Sequence, residues 1–258
     1  MKKSAPIGIF DSGMGGLSVW REVRRLLPEE SVIYLADGKN CPYGDRSAAD
    51  IATFTRRAVV DLLARGAKLI VLACNTATAV AIDSLREEFD VPFVGMEPAV
   101  KPAALATKSG KIGILATRAS LAGDLFRTTS AKYASQVEIL TAVGEGFVEL
   151  VEQGKEHTPE AVEMVRRAVE PLVEAGADQI VLGCTHYPFL MAEMHEVIGE
   201  RDVTLVNPAP AVARRVEWLL EQGDMRAPEG HKAEYSFVTF GGEEYLARIA
   251  DRALLLAK

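Results

Sequence analysis

Two cysteines, Cys74 and Cys184, are each followed by a short polar pair, Asn75-Thr76 and Thr185-His186. Each stands just after an apolar run, so each thiol is predicted where a strand stops and a helix begins. The first N–H groups of a helix have no intrahelical partner, and the field there lowers a thiol pKa and offers donors to a carboxylate. One thiolate and one thiol on opposite faces of an α-carbon can take a proton from one side and return one to the other, without a cofactor. Asp11, at the end of the first apolar run, and His186, two residues after Cys184, are candidates for setting the protonation of the two thiols. A free cysteine is often only a small buried hydrophobe. The polar residues that follow both thiols favour chemistry over that reading.

Further polar positions suit a small zwitterion with an extra carboxylate. Ser12 and the loop Gly13-Met14-Gly15-Gly16 are predicted to open the first helix, where exposed N–H groups make an anion site. The segment Cys41-Pro42-Tyr43-Gly44 reads as a turn that can bring backbone amides and a phenol to a ligand.

Positioning these residues requires a repeating frame. Short apolar runs at residues 7–10, 32–35, 69–72, 93–94, 112–115, 137–140, 180–182 and 204–206 alternate with longer segments of helical period. Amphipathic helices are predicted over 48–65 and 159–175, the second opened by Thr158 as N-cap with Pro159 in its first turn. This is the pattern of a parallel α/β fold. The chain also echoes itself: residues 62–74 align without a gap to residues 172–184, ending on Cys74 and Cys184, and residues 7–12 align to 112–117. Two similar open parallel-sheet, Rossmann-like domains related by a pseudo-twofold are implied. Ligands bind such sheets at the carboxyl ends of the strands, so the expected active site is a cleft in which the echoed cysteines face each other.

Composition narrows the partners. The chain has 258 residues, a net charge of −7 and 29 Lys and Arg that form no block, which argues against nucleic acid. No apolar stretch is long enough for a membrane span. The N-terminal residues do not read as a secretory signal, since Gly8 and Asp11 break the apolar run, and the expected location is the cytoplasm. Three cysteines do not suggest a disulfide framework and fit a reducing compartment.

Four segments together, Ile9-Phe-Asp-Ser-Gly-Met-Gly-Gly-Leu-Ser-Val19, Pro42-Tyr-Gly44, Ala73-Cys-Asn-Thr-Ala77 and Gly183-Cys-Thr-His-Tyr-Pro188, resemble the signature segments of bacterial glutamate racemases. The resemblance runs nearly end to end and includes residues 34–37, 147–152 and 240–244. It implies that Cys74 and Cys184 are the catalytic acid/bases, Asp11 assisting the first and His186 with Glu152 the second. Ser12, Tyr43, Gly44, Asn75, Thr76, Thr117 and Thr185, with Asp11 and His186, are implied to bind substrate. It further implies a homodimer that supplies D-glutamate for peptidoglycan and needs neither pyridoxal phosphate nor metal. The implied domains are 1–97 with 208–258, and 98–207.

Several residues depart from the family pattern, notably Gly38 after Asp37, Ser120, Gly123 and Phe126 after Thr117, and Asn207 near the second domain crossing. Competing readings exist. A racemase of aspartate or another amino acid would share the two-thiol chemistry and differ in pocket depth. A dinucleotide-dependent oxidoreductase is prompted by Gly13, Gly15 and Asp37, but Ser18 occupies the third glycine position and Asp11 would sit beside the pyrophosphate. A zinc set of Cys41, Cys74, Cys184 and His186 has no Cys-x-x-Cys pair to support it. A non-catalytic homologue that keeps the pocket is the remaining alternative.

Overall fold

The computed structural model describes residues 2–257. They fold as β1 (Ile7–Asp11), α1 (Leu17–Leu26), β2 (Val32–Ala36), α2 (Ala48–Ala64), β3 (Leu69–Leu72), α3 (Asn75–Glu88) and β4 (Phe93–Gly95). Next come α4 (Val100–Ala106), β5 (Lys111–Ala116), α5 (Arg118–Ala122), α6 (Asp124–Ala131), β6 (Glu138–Val143), α7 (Phe147–Glu152), α8 (Pro159–Glu174), β7 (Gln179–Gly183), α9 (Met191–Ile198) and β8 (Thr204–Val206). The chain closes with α10 (Ala209–Gln222), β9 (Tyr235–Thr239) and α11 (Glu243–Leu256). Two compact units result, one formed by residues up to Met96 and from Ala209 onward, the other by Glu97–Pro208. No helix among the described residues is long and apolar enough to cross a membrane.

Both sheets are parallel, and their strand orders are β4-β3-β1-β2-β9 and β6-β5-β7-β8. Apart from β9 the second order repeats the first. The register repeats as well: Phe10 pairs with Leu72, and the echoed Leu115 pairs with Leu182. The echo is thus a structural duplication. The equivalent glycines Gly66 and Gly176 follow α2 and α8 with φ of +88° and +93°, a left-handed conformation that a Cβ disfavours and that ends a helix.

In the first unit β1, β2 and β3 are buried on both faces, as their continuous apolar runs require. Phe10, Ile33, Leu35, Ile70 and Leu72 pack with Ile51, Val59 and Leu62 of α2 and with Ala81 and Leu85 of α3. The other face is covered by α1, which packs against α10 and α11. In the second unit Ile112, Ile114 and Val181 pack against Val100 and Ala103 of α4. The predicted helices form as Ala48–Ala64 and Pro159–Glu174, capped by Ser47, which accepts from the Asp50 N–H, and by Thr158, which accepts from the Ala161 N–H.

Two strand expectations need correction. The run at 137–140 forms a strand displaced to Glu138–Val143, and Tyr235–Thr239 forms a strand that the apolar runs did not mark. Both lie at sheet edges and are incompletely buried, so neither carries the continuous apolar run of a central strand.

The returning segment is fastened to the first unit by a buried ion pair. Lys68 Nζ lies 2.6 Å from Glu30 Oε2 and donates to the carbonyls of Met225, at 2.8 Å, and Lys3. Glu30 Oε1 accepts from the Ala227 N–H at 2.7 Å. Every strong donor and acceptor of this pair is thereby matched, as burial of charge demands.

Candidate active site

The first unit gathers its polar side chains at the carboxyl ends of β1 and β3. Cys74 ends the β3 run and is the N-cap of α3: its sulfur accepts from the Ala77 N–H at 3.4 Å, and its carbonyl accepts the first helical bond, from the Thr78 N–H. The thiol also lies 3.6 Å from Ser12 Oγ, to which it donates. Asn75 and Thr76 fall in the first turn of α3, and the Asn75 Oδ1 is buried without a hydrogen-bond partner among the described residues.

Asp11 is fully buried, and its Oδ2 accepts from the Gly13 N–H at 3.1 Å and the Gly16 N–H at 3.0 Å. The glycine loop therefore wraps around the protein's own carboxylate. This corrects the expectation of an exposed anion site there, because two of the N–H groups are taken. Gly16 is required for a steric reason, since a Cβ there would lie 2.5 Å from Asp11 Cβ and 2.9 Å from the Tyr34 oxygen.

The Pro42-Tyr43-Gly44 segment forms a 3-10 turn over Tyr43–Asp45. Its phenol does not point to solvent. Tyr43 is buried between Phe10 and Phe54 and donates to Asp37 Oδ2 at 2.8 Å. Burial, then the Asp37 charge and that hydrogen bond, with Cys74 and Asp11 adding to them, push the phenol far above its ordinary pKa, so it stays protonated. Asp37 also accepts from Asn40 Nδ2, and its N–H donates to the Asp11 carbonyl at 3.1 Å. Asp37 and Tyr34 are thus parts of this constellation that the sequence reading did not place in the site. The hint lay in a polar residue directly after a buried strand and a tyrosine inside one.

In the second unit Cys184 follows β7. The backbone does not enter an α-helix there, as it does at Cys74. It makes a 3-10 turn over Tyr187–Leu190, and α9 begins only at Met191. Pro188 explains the difference, because it has no N–H to close the helical bond to the Cys184 carbonyl, which instead accepts from the Tyr187 N–H at 3.2 Å. His186 is buried, with Nδ1 3.8 Å from Cys184 Sγ and 3.4 Å from Thr185 Oγ1, and Nε2 2.6 Å from Glu152 Oε1. Glu152 is the last residue of α7. A thiol, an imidazole and a carboxylate thus stand in series.

Tyr187 closes the base of this group. It is fully buried, meets Phe147 edge-on at 5.2 Å and reaches the Gly144 carbonyl at 3.4 Å. Burial, and next the neighbouring Cys184, raise its pKa well above the ordinary value. Thr117 follows Ala116, the register partner of Gly183, and so holds the place beside Cys184 that Ser12 holds beside Cys74. Its hydroxyl caps α5, accepting from the Ser120 N–H at 3.2 Å and donating to Ser120 Oγ at 2.9 Å.

These features define a duplicated parallel α/β protein with one buried thiol at a strand end in each half, an arrangement suited to proton transfer. The chain belongs to the Asp/Glu/Hydantoin racemase family, whose model matches residues 7–216. It is 47% identical over 247 residues to a glutamate racemase of Herpetosiphon aurantiacus, an alignment covering 96% of this chain and 97% of that one. Among solved structures it resembles a glutamate racemase isoform from Bacillus anthracis, with a TM-score of 0.88, 32% identity, and coverage of 98% of this chain and 94% of that one. It likewise resembles the Escherichia coli glutamate racemase solved with L-glutamate and the activator UDP-MurNAc-Ala, with a TM-score of 0.82, 36% identity, and coverage of 96% and 95%. The expected fold class and family therefore stand, and the chain is an amino-acid racemase, an isomerase.

Proposed function

We propose that this racemase interconverts L-glutamate and D-glutamate and uses Cys74 and Cys184 as its two acid/bases. The observation that carries the reading is the repeated placement of a buried thiol, each with its own polar partner: Ser12 for Cys74, His186 backed by Glu152 for Cys184. In one direction the thiolate of one cysteine takes the α-proton. The carbon–hydrogen electron pair is left as a carbanion, and the thiol of the other cysteine returns a proton to the opposite face. The roles exchange for the reverse reaction. The ammonium has a candidate acceptor in the buried Asn75 Oδ1, and the N–H groups around the two thiols suit a substrate carboxylate. Asp11, Tyr43, Gly44, Thr76, Thr117 and Thr185 complete the proposed substrate and assisting residues.

Glutamate as the substrate is supported by the relatives, including one solved with L-glutamate bound. A cytoplasmic enzyme that supplies D-glutamate to peptidoglycan, working as a homodimer, completes the proposal. Circular dichroism of D-glutamate incubated with the protein in reducing buffer, with D-aspartate in parallel, tests the reaction. Decay of the glutamate signal alone supports the proposal. Decay of the aspartate signal alone replaces the substrate, and no decay of either removes the assignment. Light scattering reads the oligomer.

A further inference from the structure

Tyr34 lies in the middle of β2, fully buried, and its hydroxyl donates to the Gly13 carbonyl at 2.7 Å. The N–H of the same glycine donates to Asp11 Oδ2. Gly13 is thus held at both its N–H and its C=O, and it directly follows Ser12, whose Oγ meets the Cys74 thiol. The Tyr34 oxygen also occupies space that a Cβ on Gly16 would need. On its other side the Tyr34 ring packs against Phe237, its register partner in β9, with centroids 6.3 Å apart. Phe237 in turn meets Trp20 of α1 at 5.7 Å.

We propose that Tyr34 is a positioning residue for the Cys74 half of the reaction: its hydroxyl fixes the Gly13–Met14 peptide, and together with the hold of Asp11 on the Gly13 N–H this pins Gly13 from both sides, sets the preceding Ser12 against the Cys74 sulfur and keeps Asp11 in its cradle of N–H groups. Through Phe237 the returning C-terminal segment becomes part of that support. This explains what an otherwise peripheral strand contributes to the site. Gly13 is buried, so loss of the hydroxyl leaves its carbonyl without that donor, and the peptide must shift or hydrate. The proposal rests on the reading of Cys74 as an acid/base, and its test reads the thiol without turnover.

The variant is Tyr34→Phe, which keeps the ring on Phe237 and removes only the oxygen. Iodoacetamide alkylation at Cys74 and Cys184 is followed by mass spectrometry in one sample over a pH series, with Cys184 as the internal control. The expected result is a change of about threefold or more in the Cys74 to Cys184 rate ratio, with the Cys184 profile unchanged. In glutamate turnover kcat falls about tenfold while KM moves less than about threefold. Wild-type profiles at both thiols and a wild-type kcat overturn the proposal, whatever happens to Tm. If Tyr34→Phe does not fold, Phe237→Leu removes the buttress and keeps the hydroxyl: a change confined to Cys74 supports the proposal, and an unchanged Cys74 profile overturns it. Turnover at the wild-type rate by Cys74→Ala would remove the underlying reading while leaving the alkylation result intact.

Discussion

The Nε2 of His186 lies 2.6 Å from Glu152 Oε1, so the imidazole beside Cys184 is oriented by a carboxylate from a different element, the end of α7. A carboxylate at that distance anchors Nε2 and so fixes Nδ1 as the nitrogen that meets the sulfur. Glu152→Gln keeps the shape and removes the charge. Its kcat for glutamate should fall about tenfold, less than the loss on removing a thiol, because Glu152 acts through His186. Steady-state kinetics in both directions check this, and an unchanged kcat would show that the pair is only structural.

Cys74→Ala and Cys184→Ala should each lose racemisation by at least about a thousandfold while keeping the far-UV dichroism of the parent. The two sites are built separately, one within each unit, so neither substitution removes the other thiol's partners. Racemisation by either variant at near the parental rate sinks the two-thiol mechanism.

Gly16→Ala should cost about 1–3 kcal/mol and most of the activity. Its backbone, at φ −62°, tolerates alanine, but the new carbon would meet Asp11 Cβ at 2.5 Å, an atom tied to β1 with little room to yield. Urea unfolding and turnover measured together test this. Parental stability with lost activity would place the effect in the loop alone.

Lys68→Ala should destabilise the protein by about 3–5 kcal/mol, since it leaves the Glu30 charge buried without its cation. The double variant Lys68→Met with Glu30→Gln should recover part of that loss. Hydrogen exchange should show the largest loosening at residues 225–227, whose backbone groups the pair holds. Additive effects in the double-mutant cycle would contradict direct coupling.

Asp178 gives a pH signature. Burial pushes its pKa up, but hydrogen bonds from Thr107 and from the backbone of Ser109 and Lys108 outweigh burial and hold it below the usual carboxylate value of 3.8. A carboxyl lowered in the folded state contributes stability that is present above its unfolded pKa and lost as pH falls through the folded one. The urea midpoint should therefore drop as pH decreases below about 4, and Asp178→Asn should flatten that part of the curve. An identical acid limb in both proteins would exclude the contribution.

Much of the frame was determined by sequence alone. Buried central strands and amphipathic helices carry their period in consecutive residues, so β1, β3, β7, α2 and α8 fall where the pattern put them, and the echo ending on Cys74 and Cys184 becomes a repeated strand order and register. The cap at Cys74 is equally local, made within one helical turn. Pro188 was visible too, although its consequence at Cys184 depends on which carbonyl would need the missing N–H. Tertiary structure decided the rest. The Tyr34 hydroxyl reaches Gly13, Glu152 reaches His186, and Lys68 collects groups from Lys3, Glu30 and Met225, each contact set by strand order rather than by neighbouring residues. β9 became a strand only by pairing with β2, because an edge position buries too little to leave an apolar signature. Periodicity reports which face of an element is buried, while the partner of a polar atom is chosen by packing between segments far apart in the chain.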